Sequence, residues 1–183
     1  ITDHSHALAM ANGLDDTRAL AHAAQVRARN GRYDTLTLLA GIECDILADG
    51  TLDLSDDCLA QLDIVIASVH SHFSQSPEQM TERLLRAIEH PRVDVIGHPT
   101  GRLLLAREAY GFDLERVVAA AVRHGVAFEI NSQTNRLDLS DVHARFAVRA
   151  GTSVVISTDA YSTAALGNQP WGVRTARSEE HTS

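Results

Sequence analysis

Five residues able to bind divalent cations each follow a short apolar run. His4 follows Ile1-Thr2-Asp3, Glu43 follows Leu39-Ala40-Gly41-Ile42, and His70 follows Val65-Ile66-Ala67-Ser68-Val69; His98 follows Val95-Ile96-Gly97, and Asp159 follows Val154-Val155-Ile156-Ser157-Thr158. Imidazole and carboxylate ligands suit Zn, Mn or Fe, and a carboxylate such as Glu43 can bridge two ions when histidines complete each shell. Paired cations activate water as a nucleophile and stabilise a leaving oxygen, which suits hydrolysis of phosphate esters and needs no protein nucleophile. Any one of these residues could instead fill a hydrogen-bonded structural role. Recurrence at successive strand ends argues for one shared centre.

The runs are short and rich in β-branched residues, as expected for strands buried on both faces. The spacing predicts a strand end at Ile1-Thr2, then strands over 36–42, 64–69, 93–96, 126–130 and 153–157, and helices over 15–30, 77–89, 114–124 and 140–150. Strand and helix in alternation imply parallel pairing through right-handed crossovers, with ligands gathered at the strands' carboxyl ends. Local chemistry marks several helix boundaries. Ser76-Pro77-Glu78-Gln79 offers a capping box with proline in the first turn. Asp113 can cap the next helix, whose Leu114, Val117, Val118, Ala121 and Val122 repeat at the spacing of one buried face, and Gly125 can end it. Gly31 and Gly151 are placed to close their helices the same way.

Three further residues are candidates for substrate contact. Arg102, after His98-Pro99-Thr100-Gly101, could grip a phosphate with its planar fork, or form a surface ion pair with Glu108. Asn131 ends an apolar strand and, with Arg136, could touch substrate. His72 shares the face of His70 if the strand continues and meets solvent if the loop has begun. His6, His22, His90, His124 and His143 have no partner at ligand spacing and read as solvated, and Trp171 reads as packing.

The 183 residues, 44% of them apolar, can build one substantial core. All 16 basic residues are arginine against 24 acidic ones, and the formal charge of −8 argues against a nucleic-acid surface held by bulk electrostatics. Cys44 and Cys58 are too few for a disulfide framework and lack metal-pair spacing, so a cytoplasmic protein is expected, with Cys44 a small buried hydrophobe. No window has the roughly 18 apolar residues of a membrane span. The first residues read as the last turn of a strand, so an upstream unit is expected. Arg177-Ser178-Glu179-Glu180-His181-Thr182-Ser183 abandons the apolar rhythm and is expected to be a non-native tail.

Taken in order, Thr2-Asp3-His4-Ser5, Gly41-Ile42-Glu43, Ser68-Val69-His70-Ser71, Gly97-His98-Pro99-Thr100-Gly101-Arg102 and Ser157-Thr158-Asp159-Ala160 resemble the polymerase and histidinol phosphatase (PHP) domain over residues 1–176. The stretch from Ala67 to Arg102, with Met80-Thr81-Glu82-Arg83-Leu84-Leu85 inside it, resembles the PHP domain at the C-terminus of bacterial family X DNA polymerases. The resemblance implies an irregular seven-stranded β/α, TIM-like barrel, here incomplete at its N-terminus, holding two to three Mn or Zn ions. Glu43 would bridge the first two ions, His70 and His98 would complete the second, Asp159 would join the first and His4 the third. His70, His98 and Asp159 would form the catalytic centre. Where the family has Asp-x-His, this chain has Asp159-Ala160-Tyr161, and a phenol with a reference pKa of about 10 is a poor replacement ligand, so the third ion loses support.

The implied activity is 3′ to 5′ exonuclease or 3′-end phosphatase action on DNA, with an upstream polymerase domain in the full-length protein. The alternatives are a histidinol-phosphatase-type monoesterase and a catalytically decayed structural module. Tyr161 speaks for the last.

Overall fold

Glu43, Ile66, Val95 and Ala127 stand in register across four neighbouring strands, so their side chains emerge on one face of the sheet. Their strand neighbours Ile42, Cys44, Val65, Ala67, Phe128 and Ile130 point the other way and are buried against helices. The computed structural model describes residues 1–32 and 34–178. Its strands are β1 (Gly41–Asp45), β2 (Ile64–Ser68), β3 (Val95–Ile96), β4 (Ala127–Asn131) and β5 (Val154–Ser157), paired in parallel in the order β1-β2-β3-β4-β5. Residues 1–5 extend the sheet beyond β1: Gly41 N donates to Ile1 O at 2.9 Å, Glu43 N to Asp3 O at 2.9 Å and Ser5 N to Glu43 O at 3.0 Å. The architecture is thus α/β, and a parallel sheet in chain order is compatible with a TIM-like arrangement.

The helices are α1 (Asp16–Arg27), α2 (Asp56–Leu59), α3 (Pro77–Ile88), α4 (Leu114–His124), α5 (Asp141–Ala150) and α6 (Gln169–Arg177). Met80, Leu84, Ala87 and Ile88 of α3 share one core cluster with Val117, Val118 and Ala121 of α4 and the outward side chains of the sheet. Ser76 and Gln79 close the capping box of α3, Asp113 caps Arg116 N, and Ser140 caps His143 N. Gly125 and Gly151 end α4 and α5 in the left-handed conformation at φ 71° and 101°, which glycine adopts without a Cβ penalty. Cys44 and Cys58 are free and buried. No helix among the described residues is long and apolar enough to cross a membrane.

Several boundaries differ from expectation. The strand expected over 36–42 lies at Gly41–Asp45, because the backbone of Leu38 is held by the Asn30 side chain (2.5 and 2.9 Å) and Leu36 and Leu39 remain half-exposed. Gly31 does not cap α1; the helix ends at Ala28 in the right-handed conformation, and Gly31 sits in a 3-10 turn. Val122 is 41% exposed, and Ala120 takes its place on the buried face of α4. Helix α6 was not anticipated, since Pro170 and Gly172 lower apparent helix propensity. Proline is tolerated in the first turn, and a Cβ at Gly172 would collide with Ser132 and Ile156, so the glycine lets α6 press onto the sheet. Helix α6 also takes in Arg177, the first residue of the expected tail; residues 179–183 of that tail lie outside the described residues.

Candidate metal centre

Three histidines converge on Glu43 from three different segments. His98 Nε2 lies 3.0 Å and His70 Nε2 3.2 Å from Glu43 Oε1, while His4 Nδ1 lies 3.4 Å from Glu43 Oε2. The sheet explains the meeting: Glu43 projects from mid-β1, His70 and His98 sit two residues past β2 and β3, and His4 runs beside Glu43 in the added ladder. Gly97 brings β3 close to β2, since a Cβ there would clash with Ser68 and stand 2.9 Å from Ile66 Cγ2.

On two of the three rings the nitrogen turned away from Glu43 is held as well, while His98 Nδ1 is buried without a hydrogen bond. His70 Nδ1 lies 3.0 Å from Asp45 Oδ1, and His4 Nε2 lies 2.5 Å from the Tyr161 hydroxyl. Burial alone would raise the Glu43 carboxyl, but hydrogen bonds and charge from His70 and His98 hold it well below the usual carboxylate range. Burial likewise opposes charge on His70, yet Asp45 and Glu43 together push it up to about 9.

The donor set fits a divalent cation. Ligand atoms about 2.0–2.2 Å from one tetrahedral ion lie roughly 3.3 Å apart, the spacing of these imidazole nitrogens from the Glu43 oxygens. His4, Glu43 and His70 each offer a ligand atom within 4.8 Å of the others. His4 Nδ1 is buried and makes no hydrogen bond, although a carboxylate oxygen faces it at 3.4 Å. A cation between them would satisfy both groups.

Asp159 lines the same cavity of about 510 Å³ as Glu43 and Glu129, but its carboxylate is engaged elsewhere. Asn131 Nδ2 donates to Asp159 Oδ2 at 3.0 Å, and Arg136 Nε lies 3.7 Å from the same oxygen. Asn131 is fully buried, so it acts here on Asp159. Arg102 turns its fork inward, with Nε donating to Arg136 O at 3.0 Å and Nη2 to Leu137 O. His72 is exposed in a loop at φ 53°, past the end of the strand. Of the histidines expected to be solvated, His90 meets Asp56 at 3.1 Å, and His143 buries an Nδ1 without a hydrogen-bond partner.

Sequence reasoning missed Asp45 and Glu129. Both lie in strands, and both share a face with a residue that had been singled out: Asp45 with Glu43, Glu129 with Asn131. Glu129 is 5% exposed and accepts the backbone N–H of His98 at 2.5 Å, the hydroxyl of Ser157, and a longer bond of 3.4 Å from Asn131. Burial pushes its carboxyl up. It thereby fixes His98, whose backbone sits in the left-handed region at φ 26°; Asp159 does likewise at φ 45°. Such conformations persist where surrounding contacts enforce them.

No protein-family model matches the sequence. The chain is 42% identical over 177 residues to the DNA polymerase/3′-5′ exonuclease PolX of Bacillus subtilis, an alignment covering 97% of this chain and 31% of that protein. It is 31% identical over 175 residues to a probable phosphatase of Shewanella oneidensis (91% of this chain, 65% of the relative) and 34% identical over 140 residues to one of Caldanaerobacter subterraneus (71% and 53%). Similarity to a polymerase and to phosphatases along one chain, with the motif residues in PHP order, decides the family. The chain belongs to the PHP family. It spans about a third of the Bacillus relative and just under two thirds of the Shewanella one. This PHP chain keeps one nitrogen each of His4, His70 and His98 within 3.4 Å of the Glu43 carboxylate.

Proposed function

We propose that the PHP chain is a metal-dependent phosphoesterase that acts on DNA 3′ ends, as an exonuclease or 3′-phosphatase, within a family X DNA polymerase. The observation that carries this reading is the Glu43 carboxylate ringed by three imidazole nitrogens at 3.0–3.4 Å. Two or three Mn or Zn ions would be held by His4, Glu43, His70, His98 and Asp159; when bound, such ions supply an activated water and stabilise the leaving oxygen. The chain's own groups then have distinct tasks. Asp45 and Glu129 orient His70 and the backbone of His98. Arg136, with a buried Nη1 that makes no hydrogen bond, is a better phosphate partner than Arg102, whose fork is spent on two carbonyls that position Arg136. His72 meets a substrate only beyond the cleft rim, and Asn131 contributes through Asp159.

The cavity bordered by Ile1-Thr2 on one side and Ser157-Thr158-Asp159 on the other supports the seven-stranded barrel the resemblance implies. A polymerase domain in the same polypeptide would supply DNA affinity that a chain of net charge −8 lacks, and the setting would be cytoplasmic.

The Shewanella and Caldanaerobacter relatives favour a second reading, a phosphatase of small monoesters. The test compares Mn²⁺-dependent shortening of a 5′-labelled oligonucleotide with phosphate release from p-nitrophenyl phosphate, in the full-length protein and its His98→Ala variant. Shortening abolished by the substitution supports the DNA reading, and release from the small ester alone supports the second. Absence of bound Mn or Zn would instead mark a structural module.

A further inference from the structure

Two of the three imidazoles around Glu43 are built alike. His70 presents Nε2 to Glu43 and has Nδ1 held by Asp45 at 3.0 Å. His4 presents Nδ1 to Glu43 and has Nε2 held by the Tyr161 hydroxyl at 2.5 Å. An imidazole that ligates a cation through one nitrogen carries its proton on the other, and the group bonded to that proton sets the ring's tautomer and orientation. On His4 a proton at Nδ1 would be buried without a hydrogen bond, whereas a proton at Nε2 meets the phenol oxygen. A phenol, with an ordinary pKa of about 10, is a hydroxyl at neutral pH, and the Tyr161 oxygen can both accept from His4 and donate to solvent. The two rings lie at 26° with centroids 5.9 Å apart, the nearly end-on meeting of a hydrogen bond through the phenol oxygen.

We infer that Tyr161 is a positioning residue: it holds His4 as the Nε2–H tautomer and aims the Nδ1 lone pair at the cation beside Glu43. The substitution that removes a family ligand at this position thus supplies the support His4 needs to act as a ligand of the ion at Glu43. This rests on the metal-centre reading, and its consequences reach beyond it. His4 should ligate through Nδ1 although His70 and His98 use Nε2, and the centre should depend on the Tyr161 hydroxyl without using it as a ligand.

The test uses the protein and its Tyr161→Phe and Tyr161→His variants. Tyr161 is 73% exposed, so neither change should disturb folding. Ring ¹⁵N shifts of His4 report the tautomer directly, with and without Zn²⁺, and calorimetric titration with Mn²⁺ reports affinity. The expected results are an Nε2–H tautomer in the parent, loss of that preference and about 10-fold weaker Mn²⁺ binding in Tyr161→Phe, and binding at least as tight as the parent's in Tyr161→His, where the family's own ligand returns and shows that the loop still folds. An Nδ1–H tautomer in the parent, or an unchanged tautomer in Tyr161→Phe, overturns the inference whatever the metal content. A parent that binds neither Mn²⁺ nor Zn²⁺ but loses its tautomer preference in Tyr161→Phe sinks the metal-centre reading alone and leaves the positioning role standing.

Discussion

Asp45 Oδ1 lies 3.0 Å from His70 Nδ1, on the side of the imidazole opposite Glu43, and only 3% of Asp45 is exposed. A buried carboxylate in that position raises the basicity of the ring nitrogen that would face a cation and prevents the ring from turning. Asp45→Ala should therefore weaken Mn²⁺ binding by about 10- to 100-fold, while Asp45→Asn, which keeps an acceptor oxygen, should weaken it less. Titration calorimetry on both variants checks the order; equal losses would show that the negative charge, and not the acceptor oxygen, is what matters.

The titration of the centre sets opposite pH trends for stability and for metal binding. His70 is held at about 9 against an ordinary value of 6.5, so its contribution to stability is fully present below pH 6.5 and lost as pH rises through about 9. Glu43 is held below its ordinary 4.5, so its contribution is present above that value and lost as pH falls. The metal-free protein should thus be most stable between these limits and weaken toward pH 9. Mn²⁺ must displace the His70 proton, so affinity should climb over the same interval. Urea midpoints at pH 6.5 and 9, with and without Mn²⁺, measure both trends, and a flat metal-free curve would contradict the assignment.

Gly97 precedes His98 at the point where β3 leans on β2, with room for no side chain. Gly97→Ala should destabilise the fold by about 1–3 kcal/mol. It should also lower Mn²⁺ affinity beyond the drop that partial unfolding explains, because His98 moves with the strand. Adding Ile66→Ala removes one of the atoms in the way and should recover part of both losses. No recovery in the double variant would mean the strain lies elsewhere.

How far the molecule could be read in advance differs from residue to residue. Apolar runs before His70 and His98 placed those residues just past the ends of β2 and β3, because a doubly buried strand announces itself by composition and its end by the first polar group. Glu43 was found for a partly mistaken reason. It lies inside β1, and ending the strand at Ile42 concealed Asp45, which is two residues past Glu43 and faces the same way as Glu43. Arg102 illustrates a limit of another kind: its carbonyl partners lie 34 and 35 residues away, and local context cannot show that its fork turns inward. Helix α6 was hidden because Pro170 and Gly172 suit it only through their places in the first turn and against Ser132.

The bond between His4 and Tyr161 spans 157 residues, joining the opening of the chain to the loop that follows its last strand. An ion seated at Glu43 would therefore work as a clasp, binding the folded polypeptide while finding no equivalent partner in the unfolded one. Metal supply would then govern how long the protein endures as well as what it can do.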